Sequence, residues 1–149
     1  METSASTIRV LVVDDCESWR CFVSANLQKD LELRLVAEAS DGLEAVQKAE
    51  ELQPDLILLD LGLPKLNGIE AAGRIRRLSP ESKIVFLSEN RSSEIATDAL
   101  RASGGAYVVK SDAERDLLAG IAAVLEGKQF VSSSLASHVV VHPPSEKIP

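Results

Sequence analysis

Four short apolar runs, Ile8 to Val13, Leu56 to Leu59, Ile84 to Leu87 and Ala106 to Val109, leave few folds open to this chain. Apart from Arg9 they lack the polar alternation of a strand with one wet face, so both faces must be covered. Each is followed by a longer segment of helical period, and that order points to βαβ units around a parallel sheet. Leu33 to Ala39 adds a further strand, for five βα units in all. Leu56-Ile57-Leu58-Leu59 is the most hydrophobic run and the best candidate for a central strand.

The segments between supply the helices. Trp19, Phe22, Val23 and Leu27 share one stripe in the first, and Leu43, Val46 and Ala49 form the expected buried stripe of the second. Ser40-Asp41-Gly42 reads as turn and cap before the second helix, and Pro54 stops it. Asn67 is placed to cap a third helix carrying Ile69, Ala72 and Ile75. Ser92 to Ala102 has helical spacing but few large apolar residues, so its packing is expected to be modest and its helix the most mobile. Leu117, Leu118, Ile121, Val124 and Leu125 give the fifth helix a strong apolar face.

With 149 residues, 45% of them hydrophobic, one core can form without metals or disulfides. Sixteen basic against 23 acidic side chains leave a net charge of -7, and no Lys/Arg stripe is present to follow a phosphate backbone, so direct nucleic-acid binding is not expected. The apolar runs are too short to cross a bilayer, and Met1 to Thr7 lacks the basic and apolar regions of a signal peptide, so a cytoplasmic protein away from membranes is expected. Cys16 and Cys21 have neither redox nor zinc spacing and read as buried or half-buried free thiols. His138 and His142, near a Pro-containing tail and without ligand partners at suitable spacing, read as surface residues.

Chemistry in an open α/β sheet gathers beyond the carboxyl ends of the strands, where strand order reverses. There the chain places Asp14-Asp15 after the first strand, Asp60 after the third, Ser88 after the fourth and Lys110 after the fifth. Singly, each has an ordinary explanation: a helix cap, a turn, a strand end, a solvated cation. Together, a doubly wound sheet of order 2-1-3-4-5 puts them around one pocket. Three crowded carboxylates repel one another unless a cation sits among them, and oxygen ligands of this kind suit a hard ion such as Mg²⁺. With that charge offset, a carboxylate oxygen of Asp60 can act as nucleophile toward a phosphoryl group, and Lys110 and Ser88 can hold the product's oxygens. Tyr107, on the strand leading to Lys110, is either a half-buried aromatic on an edge strand or a ring that turns inward when Ser88 moves.

Val12-Val13-Asp14-Asp15, Leu58-Leu59-Asp60-Leu61-Gly62-Leu63-Pro64, Asn67-Gly68, Leu87-Ser88 and Tyr107-Val108-Val109-Lys110 resemble, in order and spacing, the receiver domains of two-component response regulators. The resemblance runs from about Ile8 to Gly127 and implies a flavodoxin-like fold with five flanking helices. It implies that Asp60 is the phosphoacceptor, with Mg²⁺, or Mn²⁺ as an alternative, held by Asp15, by Asp60, by Asp14 through water and by the backbone carbonyl of Gly62. Ser88, Tyr107 and Lys110 match the switch hydroxyl, the switch aromatic and the phosphate-binding lysine. Gly62 and Asn90 occupy the two variable positions that modulate phosphoryl loss. There are departures: Ser111 follows the lysine where proline is frequent, and Leu63 replaces a usual methionine.

The resemblance further implies a histidine kinase or phosphotransfer protein as donor. It also implies output by contact with a downstream protein or a second copy through the face of the fourth helix, fifth strand and fifth helix. A phosphatase with a transient aspartyl phosphate is a competing reading, but Asp14-Asp15-Cys16-Glu17 lacks the Asp-x-Asp such enzymes show. A module that keeps the fold without reacting is disfavoured by the intact set Asp14, Asp15, Asp60, Ser88 and Lys110. The expected organisation is an extension over residues 1–7, a receiver domain over 8–127, and a C-terminal extension or truncated linker over 128–149. Leu117 to Ala136 also looks like the end of the receiver in helix-turn-helix transcriptional regulators. The chain is therefore either a stand-alone receiver, favoured because its tail reads unlike an output domain, or the receiver part of a DNA-binding regulator.

Overall fold

The computed structural model describes residues 7–103 and 105–135. Elements follow in the order β1 (Ile8–Val13), α1 (Glu17–Leu27), β2 (Leu33–Ala39), α2 (Gly42–Leu52), β3 (Leu56–Leu59), α3 (Gly68–Leu78), β4 (Lys83–Ser88), α4 (Ser93–Ser103), β5 (Ala106–Val109), a 3₁₀ turn (Lys110–Asp112), α5 (Ala113–Leu125) and β6 (Phe130–Val131). All strand pairs are parallel, and the sheet order is β2-β1-β3-β4-β5-β6. The expected order holds, extended by one short strand.

Alternation along the strands divides the core in two. Leu11, Val13, Ile57, Leu59 and Phe86 point to the side covered by α2, α3 and α4, while Val10, Val12, Leu58, Val85 and Val108 point to α1 and α5. All four residues of β3 are buried, as its unbroken hydrophobicity requires of a central strand. Burying each such side chain contributes about 1.5–3 kcal/mol relative to exposure, so this strand fixes the sheet firmly beneath the residue that follows it.

Local signals placed several helix ends. Asp41 accepts a hydrogen bond from Glu44 N at the start of α2 (2.8 Å), and Asn67 does the same for Glu70 N at α3 (2.9 Å). Gln53, left-handed at φ 47°, closes α2 before Pro54.

Four expectations are corrected. The buried face of α2 is Gly42, Ala45 and Ala49, with Val46 only partly covered and Leu43 48% exposed. Gly42 sets that rotation: a Cβ there would lie 1.8 Å from Leu66 O, so this edge of the helix abuts the β3–α3 loop and Leu43, one residue and about 100° further round, faces outward. Cys16 is half-buried as expected, but Cys21 is exposed, because it falls off the α1 stripe formed by Val23 and Leu27. β5 is not an edge strand, since β6 pairs with it from beyond the expected 8–127 span, and Tyr107 is fully buried there. Ser88 lies within β4 as its last residue. His138, His142 and the tail from residue 136 lie outside the described residues, as does the expected N-terminal extension except Thr7.

Candidate functional site

The carboxyl ends of β1, β3, β4 and β5 open into a cavity of about 760 Å³ whose lining includes Asp15, Asp60, Gly62, Ser88, Asn90 and Lys110. It is the switch point of the sheet: β1 continues to β2 on one side and β3 leads toward β5 on the other. Asp14, Asp15 and Asp60 each bring a carboxylate oxygen within 4.8 Å of the others. Asp14 and Asp60 are buried, and Asp15 faces solvent.

Neighbours define what each group can do. Asp14 Oδ1 accepts from Cys16 N (2.9 Å), and its Oδ2 lies 2.8 Å from Lys110 Nζ, so both oxygens are engaged. Asp60 Oδ1 receives a long bond from Gly62 N (3.3 Å), and its Oδ2 is 3.7 Å from Lys110 Nζ. Burial raises the Asp60 pKa, and the charge of Asp14 raises it further; Lys110 and the Gly62 amide pull the other way, and Asp15 adds a smaller upward push. Both contacts of the buried Asp60 carboxylate are longer than those of Asp14, so Asp60 is held more loosely than its buried neighbour.

Lys110 reaches the cavity from the 3₁₀ turn after β5 with its Nζ 4.9 Å from the Trp19 ring centroid. Trp19 therefore stands at the site. Ser88 Oγ accepts from Asn90 N (3.0 Å), and Tyr107 donates its hydroxyl to Asn90 O (2.8 Å). Burial raises the Tyr107 pKa, with the Ser88 hydroxyl opposing and the Asp60 charge adding to it. The ring points inward and is fully buried. The Asn90 side chain accepts from Ser92 N (2.8 Å), which commits Oδ1 to the approach to α4. A Cβ built on Gly62 meets nothing within 4 Å, whereas one on Gly68 would lie 2.4 Å from Asp60 O.

Of the residues the sequence singled out, Asp15, Asp60, Gly62, Ser88, Asn90 and Lys110 line the cavity, Asp14 adjoins it through the acidic trio and Lys110, and Tyr107 does not line it but reaches it through Asn90. Cys16, Ser18, Ile69 and Ile95 also line the cavity and were missed as site residues, because only the packing of α1, α3 and α4 against the strand ends brings them there.

An acidic trio, a lysine and a hydroxyl at the switch point of this sheet coincide with a sequence match to the response regulator receiver domain over residues 10–122. The chain belongs to that family. Receiver domains serve phosphorelay signalling in two-component systems, as phosphoacceptors rather than enzymes. Among curated relatives, the response regulator GacA of Pseudomonas viridiflava is 31% identical over 90% of this chain and 63% of its own length. The chemotaxis protein CheY of Listeria monocytogenes is 34% identical over 69% of the chain and 86% of its own. The response regulator protein VraR of Staphylococcus aureus is 36% identical over 74% and 53%. The receiver thus spans less than two thirds of GacA and about half of VraR. Among solved structures, a LuxR-family two-component response regulator from Aurantimonas sp. SI85-9A1 superposes with TM-score 0.85 at 32% identity, covering 90% of this chain and 96% of that one. Among the described residues, no helix is long and apolar enough to cross a membrane.

Proposed function

We propose that this receiver accepts a phosphoryl group on Asp60 from a phosphohistidine of a histidine kinase or phosphotransfer protein. One observation carries the reading: Asp60, at the end of the central strand, is buried yet only loosely paired with Lys110, and it faces a cavity that also holds Lys110 and Ser88. A carboxylate oxygen of Asp60 forms the bond to phosphorus while the bond from phosphorus to the donor imidazole breaks. The electron pair returns to the imidazole, which takes up a proton, and the product is an acyl phosphate.

The oxygen-only donor set fits a hard divalent cation, Mg²⁺ or Mn²⁺, held by Asp15, Asp60 and the Gly62 carbonyl, with Asp14 one shell out because its oxygens are already engaged. Such an ion supplies neutralising charge for the phosphoryl oxygens. Lys110 supplies the protein's own positive charge and is drawn from Asp14 toward the new phosphate, and Ser88 donates its hydroxyl to it. The chain thereby assists its own phosphorylation and later hydrolysis, with Gly62 and Asn90 bordering the path of attacking water. Output runs through protein contact at the face of α4, β5 and α5, where β6 caps the edge of β5. A net charge of -7 argues against direct nucleic-acid contact by this chain.

A second reading keeps this chemistry within a longer, DNA-binding regulator, supported by the greater length of GacA and VraR. Mass spectrometry after treatment with a small-molecule phosphodonor tests the proposal. One phosphoryl group is expected, on Asp60, dependent on divalent metal and abolished by chelator; a label that survives Asp60→Asn overturns the assignment.

A further inference from the structure

The stretch from Phe130 to Leu135 lies past the expected end of the domain, yet its polar contacts lead back to residues flanking Lys110. Ser132 N donates to Tyr107 O (2.9 Å), and Ser132 Oγ accepts from Val109 N (2.7 Å), so one fully buried serine grips the backbone of β5 at two points. Ser133 donates to the buried Asp116 through its backbone N–H (3.1 Å) and its hydroxyl (3.2 Å), and Ser134 donates to Asp112 Oδ2 (2.6 Å). The serine triplet, unremarked by its composition, thus fastens the stretch to β5 and to the start of α5.

Its apolar residues reach the same place from inside. Tyr107 and Val131 are register partners in parallel strands, so their side chains share one face of the sheet. Val131 and Leu135 bury themselves in the cluster that contains Tyr107 together with Ala96 and Ala99 of α4. The Tyr107 ring is therefore enclosed by this stretch as well as by α4, and its hydroxyl ends on the backbone of Asn90, whose N–H in turn binds Ser88. A change at Ser88 or Lys110 reaches the stretch through two short paths: Asn90 to Tyr107 to Val131, and Lys110 to Val109 to Ser132.

We infer that Phe130–Leu135 is a strap whose docking is coupled to the acidic cavity through Tyr107 and Val109, so that occupation of the cavity fastens the strap and release of the strap weakens occupation. The inference rests on the phosphoacceptor reading of Asp60. Coupling between two sites is reciprocal: whatever factor one event adds to the other's equilibrium is returned. Because the chain continues past Leu135, the strap passes the state of Asp60 to whatever follows it in sequence, a path separate from the outer surface of α4.

The test uses the full chain with Mg²⁺ and beryllofluoride, a tetrahedral mimic of an acyl phosphate. Amide hydrogen exchange at Val109, Ser132 and Ser133 is expected to slow by about fivefold or more on binding, the lower end of ordinary coupling between sites. In the reverse direction, Ser132→Ala and Leu135→Ala are each expected to weaken beryllofluoride binding about fivefold, followed by Trp19 fluorescence. The exchange measurement on the unsubstituted chain stands even if a variant folds poorly. Binding with unchanged exchange at these amides overturns the strap and leaves the Asp60 reading intact. Failure of beryllofluoride to bind at all overturns both.

Discussion

Lys110 Nζ lies 2.8 Å from Asp14 Oδ2 and 3.7 Å from Asp60 Oδ2, so its ammonium is committed to Asp14 and only leans on Asp60. The pair Lys110–Asp14 is buried on both sides, and breaking a buried pair leaves an uncompensated charge. Lys110→Gln is expected to destabilise the metal-free protein by about 3 kcal/mol in urea unfolding. A loss below about 1 kcal/mol would mean that the pair is solvated and holds nothing.

Asp60 gives a pH dependence of known sign. Burial and the neighbouring Asp14 raise its pKa above the ordinary 3.8, so the folded chain keeps this proton to higher pH than the unfolded chain does. Its contribution to stability is full below the unfolded pKa and is lost as pH rises through the folded one. In chelator, Asp60→Asn is therefore expected to be more stable than the unsubstituted chain at neutral pH, with the gap closing toward pH 3.8. Urea midpoints across that window decide it, and a gap that widens with acid contradicts the assignment.

Trp19, the single tryptophan, has Lys110 Nζ 4.9 Å from its ring centroid. Any cation or phosphate that draws Lys110 away changes that contact. Titrating Mg²⁺ is expected to change Trp19 emission in a saturable way, reversed by chelator and much reduced in Asp15→Asn. Flat emission through millimolar Mg²⁺ would separate the indole from the metal site.

Gly62 and Gly68 flank the same loop with opposite consequences. A side chain at Gly62 meets open space, so Gly62→Lys is expected to change stability by no more than about 0.5 kcal/mol while lengthening the life of the phosphoprotein, because it obstructs water beside Asp60. Equal or faster loss of phosphate in that variant defeats the idea.

At Gly68 a Cβ would press within 2.4 Å of the Asp60 carbonyl. Gly68→Ala is expected to cost about 2 kcal/mol and to lower phosphorylation of Asp60 by displacing its backbone. Thermal unfolding and labelling yield should fall together in this variant and not in Gly62→Lys.

Much of this is legible in the sequence. β1, β3 and β5 fall on the expected residues because a strand buried on both faces has to be largely apolar, a local property of composition, and β2, a half-exposed edge strand with Arg34 and Glu38 in it, also falls where expected. Asp41 and Asn67 could be read as caps because an N-cap acts within three residues. The site residues could be listed because each directly follows, or closes, such a strand.

What the sequence settled by itself was the doubly wound sheet and the five residues at its strand ends, since both depend on patterns only a few residues long. Tertiary structure alone decided the rest: the exposure of Leu43, the pairing of Lys110 with Asp14, the inward Tyr107 and the sixth strand that encloses it. Each of these depends on contacts between segments far apart in the chain. A two-residue strand such as Phe130–Val131 carries no period of its own and exists only because β5 offers it an edge.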